Sequence, residues 1–121
     1  MMRTNAWMLS MAAAALILFL TGLGAAHHGW SGYDSSKALR LTGTIQESGY
    51  EHPHGYIRLA VPEKTWLVVL APPSRMENRG LPPQALAVGN TATVVGYPHR
   101  TEPDEMRAEN ITVEGKTVEL R

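Results

Sequence analysis

The pattern of apolar and polar positions divides this chain in two. Residues 6–20 are almost wholly apolar and show no periodicity. From residue 39 onward the period is two, beginning with Leu39, Leu41, Gly43 and Ile45 alternating with Arg40, Thr42, Thr44 and Gln46, the signature of a half-buried strand. Gly43 inside that strand predicts a bulge or a sharp bend, as barrel corners require. Tyr56-Ile57-Arg58-Leu59-Ala60-Val61 reads as a second strand. Thr65-Trp66-Leu67-Val68-Val69-Leu70 reads as a third and most apolar one, stopped by Pro72-Pro73.

A short helix is predicted next, with Ser74 as its cap, Glu77 at the capping-box position and Gly80 at its end. Val88-Gly89-Asn90 is a turn before the strand Thr91-Ala92-Thr93-Val94-Val95-Gly96-Tyr97, and residues 98–105 form a polar loop. Residues 107–113 give a fifth strand, and Glu114-Gly115-Lys116 a hairpin turn into a short tail strand over residues 117–120. Three strands, a short helix and two more strands follow the order of an OB-like Greek-key barrel. The expected fold is therefore all-β with one short helix, a small barrel of five to six strands over residues 39–121. A small β-sandwich is the structural alternative.

The first part of the chain changes the picture of where the domain works. Arg3 and the terminal amine, the apolar run and then Thr21-Gly22-Leu23-Gly24-Ala25-Ala26 are the three regions of a secretory signal peptide. Cleavage after Ala26 puts small residues, Gly24 and Ala26, at both positions that signal peptidase reads. The expectation is a signal peptide at 1–26, an arm at 27–38 beginning with His27, and a bacterial periplasmic or secreted location. The competing reading is an uncleaved membrane anchor, since the apolar stretch approaches the roughly 20 residues that span a bilayer.

The sequence is 121 residues long and contains no cysteine. Once the leader is removed, the length allows one domain of modest core. Thiol nucleophiles, thiolate metal sites and a lipid-modified cysteine are excluded. Basic and acidic residues number 11 each, with Lys37, Arg40, Arg58, Lys64, Arg75 and Arg79 scattered among Glu47, Glu51, Glu63 and Glu77. Without a concentrated basic face, no nucleic-acid partner is expected.

The residues His27-His28-Gly29-Trp30-Ser31-Gly32-Tyr33-Asp34, Leu41-Thr42-Gly43-Thr44-Ile45, His52-Pro53-His54-Gly55-Tyr56-Ile57, Trp66 and Val94-Val95-Gly96-Tyr97-Pro98 resemble a family of small exported bacterial proteins of unknown function. The resemblance rests on a His-His-aromatic start after the signal peptide and a later Pro-His pair before an apolar strand. Those features fall here on His27, His28, Trp30, Pro53 and His54. His52 departs from the asparagine usual before that proline. The resemblance implies export and a barrel domain, and it supplies no reaction.

Four of the five histidines fall in two close pairs, His27-His28 and His52-Pro53-His54. Imidazole is a common ligand of copper, zinc and nickel, and a free amino terminus at His27 adds a nitrogen donor. In extended conformation His52 and His54 would point to one side and could share an ion. His27, His28, His52 and His54 are thus the candidate metal ligands, with copper the favoured ion and zinc or nickel behind it. His99 reads as a loop residue, Met76 and Met106 as packing residues, and Glu102, Asp104 and Glu105 as solvated carboxylates.

No nucleophile elbow, phosphate loop or metalloprotease helix is present, so no enzymatic activity is expected. Two functions stand open at this point. One is copper binding through the four histidines. The other is a metal-free module for a small ligand, a glycan or a periplasmic partner protein, using Trp66, Tyr56 or Tyr97. The membrane enters only if the leader stays on.

Overall fold

The computed structural model describes residues 29–121; the expected signal peptide, His27 and His28 lie outside the described residues. Residues 29–32 carry a 3₁₀ turn at Trp30–Gly32. The unit from Tyr33 onward contains β1 (Leu39–Gly49), β2 (Tyr56–Ala60), β3 (Thr65–Val69), α1 (Pro73–Asn78), a 3₁₀ turn at Pro83–Leu86, β4 (Thr91–Pro98), β5 (Glu105–Val113) and β6 (Lys116–Glu119). One sheet runs in the order β3-β2-β1-β4-β5-β6, and an extra pairing of β3 with β5 closes it. Among the described residues the result is a closed five-stranded barrel with one additional strand and a single short α-helix. Because one sheet closes on itself, the sandwich alternative is not formed.

Closure depends on β1, which pairs with β4 over residues 39–44 and with β2 over residues 44–49. Gly43 sits at the changeover, where a Cβ would collide with the carbonyl oxygen of Ala60. The expected special role of Gly43 is therefore close approach of two backbones, while the register irregularity in β1 falls between Ile45 and Glu47. Gly96 has the same task on β4: its Cβ would run into the carbonyl of Arg107, beside the second register shift.

That shift explains the inward residues of β5. Met106 and Ala108 are buried, and so are Ile111 and Val113, so the inward side moves from even to odd positions where the bulge adds one residue. With Ile45, Ile57, Leu59, Val68, Leu70, Met76, Leu86, Val94, Val118 and Leu120 these residues form one apolar core. Met76 and Met106 are both fully buried in it, which fits packing.

The capping expectation for the helix is corrected. Ser74 lies inside α1, Pro72 is the N-cap with no side-chain cap bond, and Pro73 fills the first turn, where its missing N–H is not needed. The C-terminus behaves as expected. Gly80 takes φ +85°, its N–H reaches Glu77 O at 3.0 Å, and Leu81 N–H reaches Met76 O at 2.7 Å, the paired bonds of a Schellman end. The final hairpin turns through Glu114 (φ 53°) and Gly115 (φ 78°), as a two-residue loop of the primed type does.

Candidate functional site

Strand alternation sends Glu105, Arg107 and Glu109 to the outside of β5 while Met106 and Ala108 face the core. Each of the three is held by residues from distant parts of the chain. Glu105 Oε2 accepts a 2.7 Å hydrogen bond from the Tyr33 hydroxyl. Burial first, and then Glu105 itself, push the Tyr33 pKa far above the ordinary phenol value.

His99 lies edge-on to Tyr33, with ring centroids 5.1 Å apart, and the two residues form an isolated β-bridge. Its Nδ1 accepts the backbone N–H groups of Thr101 at 3.1 Å and Glu102 at 3.0 Å. This pattern assigns the ring proton to Nε2, which sits 3.9 Å from Glu105 Oε2. His99 thus ties down the loop after β4, where the sequence suggested a plain loop position. Glu105, expected to be merely solvated, is half-buried and holds Tyr33.

Arg107 is 7% exposed, and its Nη2 lies 3.2 Å from His54 Nε2. A guanidinium only donates, so that ring nitrogen is the acceptor. Burial lowers the Arg107 pKa, and the cations Arg75 and Arg121 add to the effect. Glu109 accepts from Arg121 Nη1 at 2.9 Å and from the Tyr97 hydroxyl at 3.0 Å. Those bonds, Arg121 first, hold its carboxyl below the usual range. Glu105, Arg107 and Glu109 gather residues 33, 54, 97, 99 and 121 onto one strand face. It contains buried charge and two histidines, but their identified ring nitrogens are engaged in holding backbone or arginine in place.

Of the expected metal ligands, His52 and His54 are described. His52 is exposed in the loop between β1 and β2, and His54 is half-buried beside Arg107. Residues 52 and 53 form a bend outside the strands, so strand alternation does not set the direction of the two rings. A metal at His54 Nε2 would have to displace a cation. Among the described residues no group of three or more His, Asp or Glu side chains is arranged to hold a metal ion.

The aromatic candidates are also engaged. Lys64 Nζ lies 3.9 Å from the centre of the Trp66 ring, Tyr56 is hydrogen-bonded to Glu47, and Tyr97 to Glu109. Lys64 also donates to Pro103 O at 2.7 Å and Asp104 Oδ1 at 3.2 Å, and Leu67 N–H donates to Asp104 O at 2.8 Å. With His99 at one end and Lys64 at the other, residues 99–104 are pinned against the barrel. Between this loop and β2–β3 lies a groove of about 250 Å³ lined by Arg58, Leu67, Glu102, Pro103, Asp104 and Glu105. Sequence patterning carried no sign of it, because the loop is brought against β2 and β3 by the closing β3–β5 pair.

A family model matches residues 4–106, with β1 to β4 inside the match. The chain belongs to the Family of unknown function (DUF6152). In this DUF6152 member the matched stretch ends at the start of β5, so β6 lies beyond it. No curated protein matches the chain. Among solved structures, the crystal structure of TiaS in complex with a tRNA and ATP shares the fold, with 18% identity and TM-score 0.50, over 74% of this chain and 20% of that one. A ZRD-deleted mutant of TiaS in complex with agmatine has 20% identity and TM-score 0.49, over 73% and 25%. The DUF6152 chain therefore spans a quarter or less of those proteins' lengths. Among the described residues no helix is long and apolar enough to cross a membrane.

Proposed function

We propose that this chain is an exported, periplasmic or secreted binding module, without enzymatic activity, that takes a small hydroxyl-rich ligand such as a short glycan in the groove between β2, β3 and residues 102–105. The observation that carries the reading is the pinned loop: it brings Glu102, Asp104 and Glu105 into one groove with Arg58 and Leu67. Carboxylates accept hydroxyl hydrogens and a guanidinium donates to hydroxyl oxygens, so the rim matches a ligand that does both. The outer face of strands 2 and 3 with the loop after strand 4 is also where barrels of this type take oligosaccharides. The test is saturation-transfer NMR with a panel of neutral oligosaccharides. Saturable binding that the Arg58→Ala and Glu102→Gln variants weaken supports the reading, and binding to none of the panel, or binding indifferent to both changes, removes it.

A second reading keeps copper, with zinc and nickel behind it, on His27, His28, His52 and His54. It is favoured by exposed His52 standing two residues from His54. Native mass spectrometry with and without added copper and zinc tests it. One bound copper that disappears in His28→Ala and His54→Ala variants supports this reading; a clean metal-free mass ends it.

A further inference from the structure

A second opening is built in part by the strand that the barrel does not need for closure. Gly80, Leu81, Pro82, Gln84 and Ala85 form one wall of a pocket of about 390 Å³, and Val113, Glu114, Lys116 and Val118 on the β5–β6 hairpin form the other. That volume lies within the roughly 300–1,000 Å³ range of small-molecule sites. Leu81, Val113 and Val118 belong to the core and are at most 4% exposed, so the pocket has an apolar floor.

One cation, exposed Lys116, stands at the edge of this pocket. Lys116 Nζ donates to Gly80 O at 3.1 Å, and it lies so close over Gly80 that a Cβ there would run into the amine. The bond to Gly80 explains part of its role, since an ammonium suits the carbonyl end of a helix. An ammonium has three donors, however, and this one uses a single carbonyl among the described residues. The remaining donors can take an anionic group whose apolar remainder lies on Leu81, Ala85, Val113 and Val118. Glu114 on the rim repels a ligand of higher negative charge.

We propose that this pocket binds a small monocarboxylate with an apolar tail, its carboxylate on Lys116. The site is independent of the groove at residues 102–105, and neither reading depends on the other.

Amide chemical shifts of the protein are followed during separate titrations with sodium octanoate, 1-octanol and inorganic phosphate. The expected result is saturable shifts with octanoate, centred on Gly80, Leu81, Ala85 and residues 113–118, and much weaker shifts with octanol or phosphate. Lys116→Gln lowers octanoate affinity about tenfold. Ala85→Phe, which fills the pocket while leaving the Lys116 bond, abolishes the shifts with the fold retained by circular dichroism. Absent or scattered shifts, equal binding of octanol, or unchanged affinity in both variants overturns the proposal; if Lys116→Gln unfolds the chain, Ala85→Phe alone decides.

Discussion

The hydroxyl of Tyr33 and the carboxylate of Glu105, 72 residues apart, share a 2.7 Å hydrogen bond. It fastens the start of the barrel unit to the strand that closes it, together with the Asp34 N–H to Pro98 O bond at 2.9 Å. Tyr33→Phe should cost about 1 kcal/mol in urea unfolding. The Tyr33 pKa is raised in the folded state, so its stabilisation is complete below the unfolded phenol pKa of about 10 and is lost as pH rises above it. Tyr50, Tyr56 and Tyr97 are raised as well. Unfolding free energy measured at neutral and at alkaline pH should therefore fall, and fall less steeply in Tyr33→Phe.

At acid pH the sign is opposite. Glu109 is held below the usual carboxylate range by Arg121 and Tyr97, and Asp34 by Ser36. Their contribution is complete above the unfolded carboxylate pKa of about 4 and disappears as the pH falls through the lower folded value. Glu109→Gln should flatten the acid limb of the stability profile and leave the neutral value lowered.

His99 makes a prediction about local order. Replacing it with Leu removes the acceptor for the Thr101 and Glu102 amides, and both should then exchange with deuterium faster. His99→Asn, which retains a side-chain acceptor, should restore part of that protection. Unchanged exchange in His99→Leu would show that the loop is held without the imidazole.

The two kinds of glycine should separate cleanly in stability measurements. Gly43→Ala drives a methyl into the Ala60 carbonyl, with an expected cost of about 3 kcal/mol. At Gly115 there is open space around the missing Cβ and only φ 78° to object, so Gly115→Ala should cost about 1 kcal/mol.

The strands, the short helix and the final hairpin were legible in the sequence because each is governed by local rules: alternation over Leu39, Leu41 and Ile45, glycine at Gly80, and Glu114-Gly115 between two strands. Gly43 announced a special position, but not that the reason was the Ala60 carbonyl. The start of β5 was missed by two residues, since Glu105 continues the polar, acidic run of the loop before it. The parallel β3–β5 pairing and the roles of Tyr33, His99, Glu105 and Arg107 were out of reach, because their partners lie far away in the chain. Histidine spacing drew attention to His52 and His54, whereas fixed geometry gathered around His99 and Arg107.

The additional strand also has a consequence for self-association. Among the described residues β6 has a strand partner on one side only, and such an edge is where a second copy of a chain can add a strand. Here Arg79 donates to the carbonyls of Glu119 and Arg121 at 2.9 and 3.0 Å, and Arg75 to that of Leu120 at 2.9 Å. The guanidinium groups reached from α1 occupy acceptors that an incoming backbone would otherwise use, and place positive charge there. The short helix and its C-cap residue therefore leave fewer free acceptors at this edge for a strand from a second copy of the chain.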